Sequence, residues 1–435
     1  MTDTAPGTMP GTAPDTAPGP ALGTAPESAA AFDPPELFAE PFPWPRTAFD
    51  PPELYAWLRE RRPVTKVTTR NGQEAWLVTR YDDVRAVLGD RRISSDIRRP
   101  GYPKFGVFPP REEDRPFIWM DPPEHAVFRR LLVKNFLARR VEAYRDRLQA
   151  LVDGAIDRMT AGERPADLVR ALALPVPSTV LAWVLGVREE DQGFFNTATE
   201  HLMNRADFTD PHALERAMKA GMELRAYLDQ LITEREAAPD PGDDILGQLV
   251  AAAREGTIGR NDVVNSGMLM IIAGHETTAS MIATGTLVLL RNPGHVAELR
   301  ADPGLLPGAI EELLRYLTVV HLVVLRVATE DIEIGGQLIR AGEGVIPLNF
   351  SANRDDAHYP DADRFDIHRP AKDHFAFGHG IHQCVGQSLA RLELRVVWET
   401  LLRRIPTLGL AIPAEDVPVK LFSQISGVSV LPVTW

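Results

Sequence analysis

The stretch from about 260 to 290, which contains MLMIIAGHETTASMIATGTLVLL, is apolar almost all the way round. A helix without a polar face must be enclosed by other elements, so this run predicts a long central helix inside a large, mainly helical core. Its middle departs from that pattern. Gly274, His275, Glu276, Thr277 and Thr278 follow one another where a purely structural helix would carry aliphatic side chains. An interior glycine costs a helix about 1 kcal/mol relative to alanine, and the Thr277 hydroxyl can bond back to the Ala273 carbonyl and bend the helix, widening it locally. HETTA is not a zinc-protease HExxH helix, because Ala279 stands where the second histidine would be. The segment is either a hydrogen-bonded polar island in the core or part of a reactive site.

A second constraint is FGHGIHQCVG, Phe377 to Gly386, which holds the only cysteine, Cys384. A metal-binding thiolate must be deprotonated, whereas a free cysteine has a pKa of about 8.5. Gly378, Gly380 and Gly386 permit tight or left-handed turns that aim main-chain N–H groups at the sulfur and let a flat cofactor lie close to the backbone. Phe377 can cover the loop. Residues 387 to 402 predict a helix whose positive end meets the thiolate. Two other readings compete: a buried cysteine acting as a small hydrophobe, and a zinc cluster of His374, His379, His382 and Cys384. Zinc usually takes several cysteines or three regularly spaced ligands, neither of which is present.

Elsewhere the signals are local. FDPPEL occurs at 32–37 and 49–54; in the second copy Asp50 caps, Pro51 opens and Glu53 completes a capping box for a helix through Arg61. Val64 to Thr79, with Asn71-Gly72 between two alternating runs, predicts a hairpin with a type I′ turn. A helix follows from Arg80 to near Gly89, then a long loop over 93–118. Asp121 caps the next helix, on which His125 and Arg129 share a face; that spacing suits either a solvated pair or a dianionic ligand edge. Residues 137–255 predict successive amphipathic helices. Glu312 and Arg315 have charge-pair spacing. After Thr318 the β-branched run predicts strands, and the C-terminal segment predicts a hairpin with Ser426-Gly427 near its tip.

FGHGIHQCVG resembles the cysteine-ligand loop of the cytochrome P-450 family, the haem-thiolate monooxygenases, with Phe377, Gly380, His382, Cys384 and Gly386 matching its pattern and Ala390 fitting the helix that follows. AGHETT resembles that family's oxygen-activation segment, and Glu312-Leu-Leu-Arg315 its Glu-x-x-Arg pair. The resemblance covers about residues 45–435 and is nearest to soluble bacterial, particularly actinobacterial, members acting on secondary metabolites. It implies a mainly α fold with small β-sheets, the triangular haem-binding prism, as a single domain over 32–435. Cys384 would be the axial ligand of haem b. His125, Arg129, Arg326, His374 and His382 would hold propionates, and Ala273, Gly274, Phe377, Gly378 and Gly386 would line the cofactor. Glu276 and Thr277 would relay protons, while Glu312, Arg315 and Arg364 would form a buried structural cluster.

The implied activity is activation of dioxygen to hydroxylate or epoxidise a small molecule, with electrons from ferredoxin and an NAD(P)H-dependent ferredoxin reductase. Oxidative coupling without oxygen insertion, or haem binding without turnover, would use the same motifs. Arg130, Lys134, Arg139 and Arg140 would form a basic patch for an acidic ferredoxin. Pocket walls are expected from 93–118, 190–210, Met268 to Ala273, Val319 to Val324 and Phe422 to Ser426. Within them Met268, Val319, Val320, Val323 and Phe422 are apolar, and His321, Ser423 and Gln424 are polar, which suits a bulky, largely hydrophobic ligand with some oxygen functions.

Composition narrows the partners. A net charge of −13 argues against nucleic acid or an anionic membrane. One cysteine excludes an internal disulfide framework and a fused iron–sulfur domain. Residues 1–31, built from Thr, Ala, Pro and Gly, predict a disordered tail. With neither a secretory signal nor a stretch of about 20 apolar residues, the expectation is a soluble, cytoplasmic monomer.

Overall fold

The computed structural model describes residues 41–44, 53–104, 115–203, 212–321, 323–420 and 424–435. The expected tail, the first FDPPEL, the cap at Asp50 and Pro51, and the pocket residues Phe422 and Ser423 lie outside them. In chain order the helices are α1 (Glu53–Arg61), α2 (Tyr81–Gly89), α3 (Glu124–Val133), α4 (Ala138–Glu142), α5 (Arg145–Ala161), α6 (Pro175–Leu185) and α7 (Gln192–Met203). They continue as α8 (Ala213–Ala237), α9 (Ile245–Arg254), α10 (Arg260–Arg291), α11 (Pro293–Ala301), α12 (Leu306–Leu317), α13 (Asn349–Ala352) and α14 (Gln387–Arg404). The strands are β1 (Val64–Thr68), β2 (Glu74–Val78), β3 (Ile93–Ser94), β4 (Ala166–Asp167), β5 (Arg326–Ala328), β6 (Ile332–Ile334), β7 (Gln337–Ile339), β8 (Gly344–Pro347), β9 (Gly409–Leu410) and β10 (Pro432–Thr434).

The apolar run forms α10, 32 residues long and α-helical throughout, without local widening. Glycines let neighbours approach it. A Cβ at Gly285 would lie 2.4 Å from the Trp398 ring, at Gly267 3.0 Å from Leu228, and at Gly274 3.3 Å from Leu181. Trp398 is buried, and its indole N–H donates to Thr286 Oγ1 at 3.1 Å, so α14 is locked across α10. Gly274 thus has a packing reason, independent of any cofactor. Around α10 the helical core gathers α5, α6, α8, α9, α12 and α14.

A smaller core lies under the main sheet, ordered β1-β2-β8-β5-β3, in which β2 and β8 run parallel and the other pairs antiparallel. Two small sheets, β4-β10-β9 and β6-β7, complete the β content among the described residues. The hairpin between β1 and β2 is present, but its turn is not type I′. Only Gly72 has positive φ (+79°), and its N–H bonds the Thr69 carbonyl at 2.8 Å, giving a type I turn closed by a left-handed glycine. The run after Thr318 is strand only at β5 and β6; before them, Val320 bridges Ile425. The C-terminal hairpin also differs from expectation, because Lys420 N–H bonds Gly427 O at 2.9 Å, which puts Ser426 and Gly427 on its returning arm.

The buried charge cluster contains a correction. Arg315 grips Glu312 at two points, 2.7 and 2.8 Å, with neither side chain exposed. Arg364 does not join them; it is largely exposed and pairs with Asp361 and Asp366. Arg369 takes that place, with Nε 3.2 Å from Glu312 Oε1, while the Asp366 N–H donates to the same oxygen at 3.0 Å. Five residues along an irregular loop reverse which arginine points inward. Arg369→Ala should cost about 3 kcal/mol in chemical denaturation, as breaking a buried charge cluster does, and Arg364→Ala less than about 0.5 kcal/mol. Equal losses would contradict this assignment.

Candidate functional site

The loop before α14 is held by two left-handed glycines, Gly378 (φ +70°) and Gly380 (φ +72°). A Cβ on Gly380 would lie 2.5 Å from the Leu88 carbonyl oxygen, so the loop lies against the end of α2. Gly386 has φ −84°, not the left-handed turn its residue type suggests. It contributes its N–H, which with that of Gln387 is directed at the Cys384 sulfur. The Cys384 N–H donates to Phe377 O at 2.8 Å. Burial pushes the thiol pKa up; the Gly386 N–H, the Arg129 and Arg391 guanidiniums and the Gln387 N–H act against it. The sulfur therefore sits where an anion is desolvated yet faced by donors and the positive end of α14.

Behind the loop, Arg391 lies over the Phe377 ring at 4.6 Å and binds both oxygens of Glu311 at 2.7 and 2.9 Å. His374 belongs here and not at a propionate. Its Nε2 is 3.2 Å from Glu311 Oε2 and its Nδ1 accepts the Ala376 N–H at 3.1 Å, so both nitrogens are engaged. Burial raises the Glu311 pKa, but hydrogen bonds from Arg391 and His374 outweigh it and hold the carboxyl at about 2.

A different cluster has the opposite character. The His125 and His382 rings lie 4.2 Å apart, each with a buried nitrogen lacking a partner, Nε2 of His125 and Nδ1 of His382. Burial holds both imidazoles neutral, with pKa values of about 4 and about 2. Arg326 is buried, makes no ion pair among the described residues, and donates only to its neighbour's carbonyl, Leu325 O, at 2.8 Å. Half-buried Arg129 donates to the Gln383 carbonyl. Tyr102, which sequence reasoning missed, is buried close enough to Arg326 and Asp121 to feel their charges, and burial pushes its phenol up to about 12. Asp121 does not cap α3 with its side chain; it binds Ser94 Oγ at 2.5 Å and Ser95 N–H at 2.9 Å.

On α10, Met268, Ile272, Ala273, Gly274 and Thr277 form an accessible strip along an otherwise buried helix. Thr277 Oγ1 donates to Ala273 O at 2.7 Å, the back-bond anticipated from the sequence. Buried Glu276 accepts from Lys420 Nζ at 3.3 Å, a partner that no motif indicated. Val320 and Val323 are partly buried against the helical core, and Val319 lies within it. His321 is no polar pocket wall. It is buried between Tyr55 and Phe350, with its Nε2 3.5 Å from the Tyr55 hydroxyl.

Unpartnered buried donors and two guanidiniums free of carboxylates suit the acidic edge of a haem, and a cysteine sulfur facing N–H donors suits its iron. Fold and donor set together define a haem-thiolate protein. The chain belongs to the cytochrome P-450 family: the family model described as "Cytochrome P450" matches residues 50–303 and 304–418. Cytochrome P450-SU2 of Streptomyces griseolus is 48% identical over 376 residues, covering 86% of this chain and 91% of that protein. The crystal structure of cytochrome P450 MoxA from Nonomuraea recticatena superposes with TM-score 0.84 at 45% identity, covering 91% of this chain and 98% of that one. The mycinamicin VIII C21 methyl hydroxylase MycCI from Micromonospora griseorubida, solved bound to mycinamicin VIII, gives 0.82 at 40% identity, covering 91% and 99%. The protein is a haem b monooxygenase, an oxidoreductase. No helix among the described residues is long and apolar enough to cross a membrane.

Two measurements bear on this geometry. The ferrous–carbon monoxide difference spectrum should show a strongly red-shifted Soret band in the wild type and none in Cys384→Ser; a band that survives the substitution would remove Cys384 as ligand. Glu311, with its folded pKa depressed, contributes stability that is complete above its unfolded pKa, about 4.5, and is lost as pH falls toward about 2. The stability advantage of wild type over Glu311→Gln should accordingly be flat above pH 5 and shrink below pH 4.5; a difference independent of pH would contradict the pairing.

Proposed function

We propose that this monooxygenase hydroxylates a largely hydrophobic secondary metabolite carrying oxygen functions, with electrons supplied by a ferredoxin. The observation that carries the reading is the accessible strip of Met268, Ile272, Ala273, Gly274 and Thr277 on α10, apolar but for Thr277, with the acid Glu276 immediately before that threonine. Val320, bridged to Ile425 of the C-terminal hairpin, and Val323 supply further apolar wall. The MycCI structure, that of a methyl hydroxylase bound to mycinamicin VIII, supports hydroxylation of a secondary metabolite by this chain as well.

Haem b, which Cys384 would hold, would supply dioxygen activation and oxygen transfer, favoured by an electron-donating thiolate. His125, His382, Arg129, Arg326 and Tyr102 would hold its carboxylates, and Ala273, Gly274, Phe377 and Gly378 would line its site. Thr277 Oγ1, whose proton is turned to the Ala273 carbonyl, keeps its lone pairs free to accept a hydrogen bond in the pocket. Glu276, immediately before it in the chain, is the acid–base group of the relay.

For the ferredoxin, Arg130, Lys134 and Arg139 are exposed around the apolar Val133 and Leu137, 38% and 56% accessible, which is the apolar centre and charged rim of a transient docking surface. Arg140 is excluded from that role because Asp243 binds it at 2.7 and 2.8 Å.

Turnover in labelled dioxygen with a surrogate ferredoxin system should give product one labelled oxygen heavier, and Thr277→Ala should lower product per electron about tenfold or more. Product without label would replace insertion by coupling. Reversing charge at Arg130 and Lys134 should slow reduction at low salt and matter little at high salt; salt-independent rates would place docking elsewhere.

A further inference from the structure

Glu276 lies on the central helix, 7% exposed, and the polar partner its carboxylate has comes from 144 residues away: Lys420 Nζ, 3.3 Å from Oε1. Lys420 is itself only about a quarter exposed and stands on the outgoing arm of the C-terminal hairpin. That arm is fixed by the Lys420 N–H to Gly427 O bond and the Val419–Val428 bridge. The returning arm is pressed onto α10, where a Cβ at Gly427 would lie 2.9 Å from Ser280 Oγ and 3.4 Å from Thr284 Oγ1. The same arm is tied to the pocket wall, with Ser426 N–H on Val319 O at 2.8 Å and His321 N–H on Gln424 O at 2.9 Å. The described arms of one hairpin therefore touch the expected substrate wall, the central helix and the relay acid.

We propose that Lys420 is a positioning residue for proton delivery: from the C-terminal hairpin it orients the Glu276 carboxylate beside Thr277 on the central helix. The inference rests on the relay reading of Glu276 and Thr277 above. The neighbouring His275 does not compete for this work. Its ring is buried with Nε2 on the Leu174 carbonyl at 3.1 Å, and burial, with Lys420 as a lesser influence, holds it neutral, with a pKa of about 4. A buried carboxylate is oriented by the cation that reaches it. A lysine does this without rigid geometry, because its four-carbon stem lets the ammonium follow or release its partner.

The test compares haem-loaded wild type with Lys420→Gln, Lys420→Arg, Glu276→Gln and the Lys420→Gln/Glu276→Gln double variant. The readouts are product and hydrogen peroxide per electron consumed, the solvent deuterium isotope effect on product formation, the spectral dissociation constant of a bound azole, and the thermal unfolding midpoint. Lys420→Gln should lower product per electron about tenfold, as loss of a positioned proton donor does, divert the difference to hydrogen peroxide, and raise the solvent isotope effect. Lys420→Arg should restore most of the coupling. The spectral dissociation constant of a bound azole should change less than about threefold, and the midpoint losses of the two single variants should be non-additive in the double variant. Additive midpoints, which are independent of turnover, would show that the two groups do not pair and overturn the proposal. So would Lys420→Gln that couples normally while Glu276→Gln does not, leaving the relay reading intact. Normal coupling in Glu276→Gln would remove the relay reading, and this inference with it.

Discussion

A cysteine sulfur held out of water yet faced by hydrogen-bond donors is the constraint from which the rest follows. Desolvating a charge costs several kcal/mol unless donors face it, and here they come from several directions: the N–H groups of Gly386 and Gln387, the end of α14, and the guanidiniums of Arg129 and Arg391. None of these works unless α14 is immobile. Trp398 seats in the notch at Gly285, Arg391 grips Glu311 of α12, and Arg404 binds Asp153 and Asp157 of α5. The ligand loop hangs from a helix anchored to three neighbours.

Buried polar groups in this molecule separate into two kinds. Glu312, Arg315 and Arg369 saturate one another and the surrounding carbonyls, so they set the conformation of the loop from Asn353 to Arg369 and have no capacity left for a ligand. His125 and Arg326 are buried as well and His382 is half-buried, yet one buried nitrogen of each histidine lacks a partner and the Arg326 side chain donates only to the Leu325 carbonyl among the described residues. Since an unmade buried hydrogen bond costs about 1–3 kcal/mol, such a cluster survives only where something other than the chain completes it. His374 looks like a member of the second kind by sequence position but belongs to the first by its bonds.

Much of the site could be read before the fold was known because its geometry is local. Thr277 to Ala273 is one helical turn, Glu312 to Arg315 another, and Gly386 lies two residues from Cys384; covalent geometry and helix periodicity place such groups together in any fold. The mistaken assignments share the opposite property. Arg364 and Arg369 lie in irregular backbone, where five residues do not specify direction. His321 follows two pocket valines in an extended segment, where alternate side chains face opposite ways. Asn71-Gly72 suggested one turn type, and the Thr69–Gly72 bond selected another.

The sequence by itself determined the class of the protein: a central helix too apolar to lie at a surface, an acid and a threonine set into it, and a single cysteine in a glycine loop leading into a helix. Only the tertiary structure decided which distant groups meet. Lys420 reaching Glu276, Tyr102 lying near Arg326, and Arg391 joining Phe377 to Glu311 are pairings between segments whose separation along the chain says nothing about distance in space. The physical reason is that hydrogen-bond and helix geometry act over a few residues, whereas the packing that brings these groups together is settled by the burial of the whole apolar surface at once.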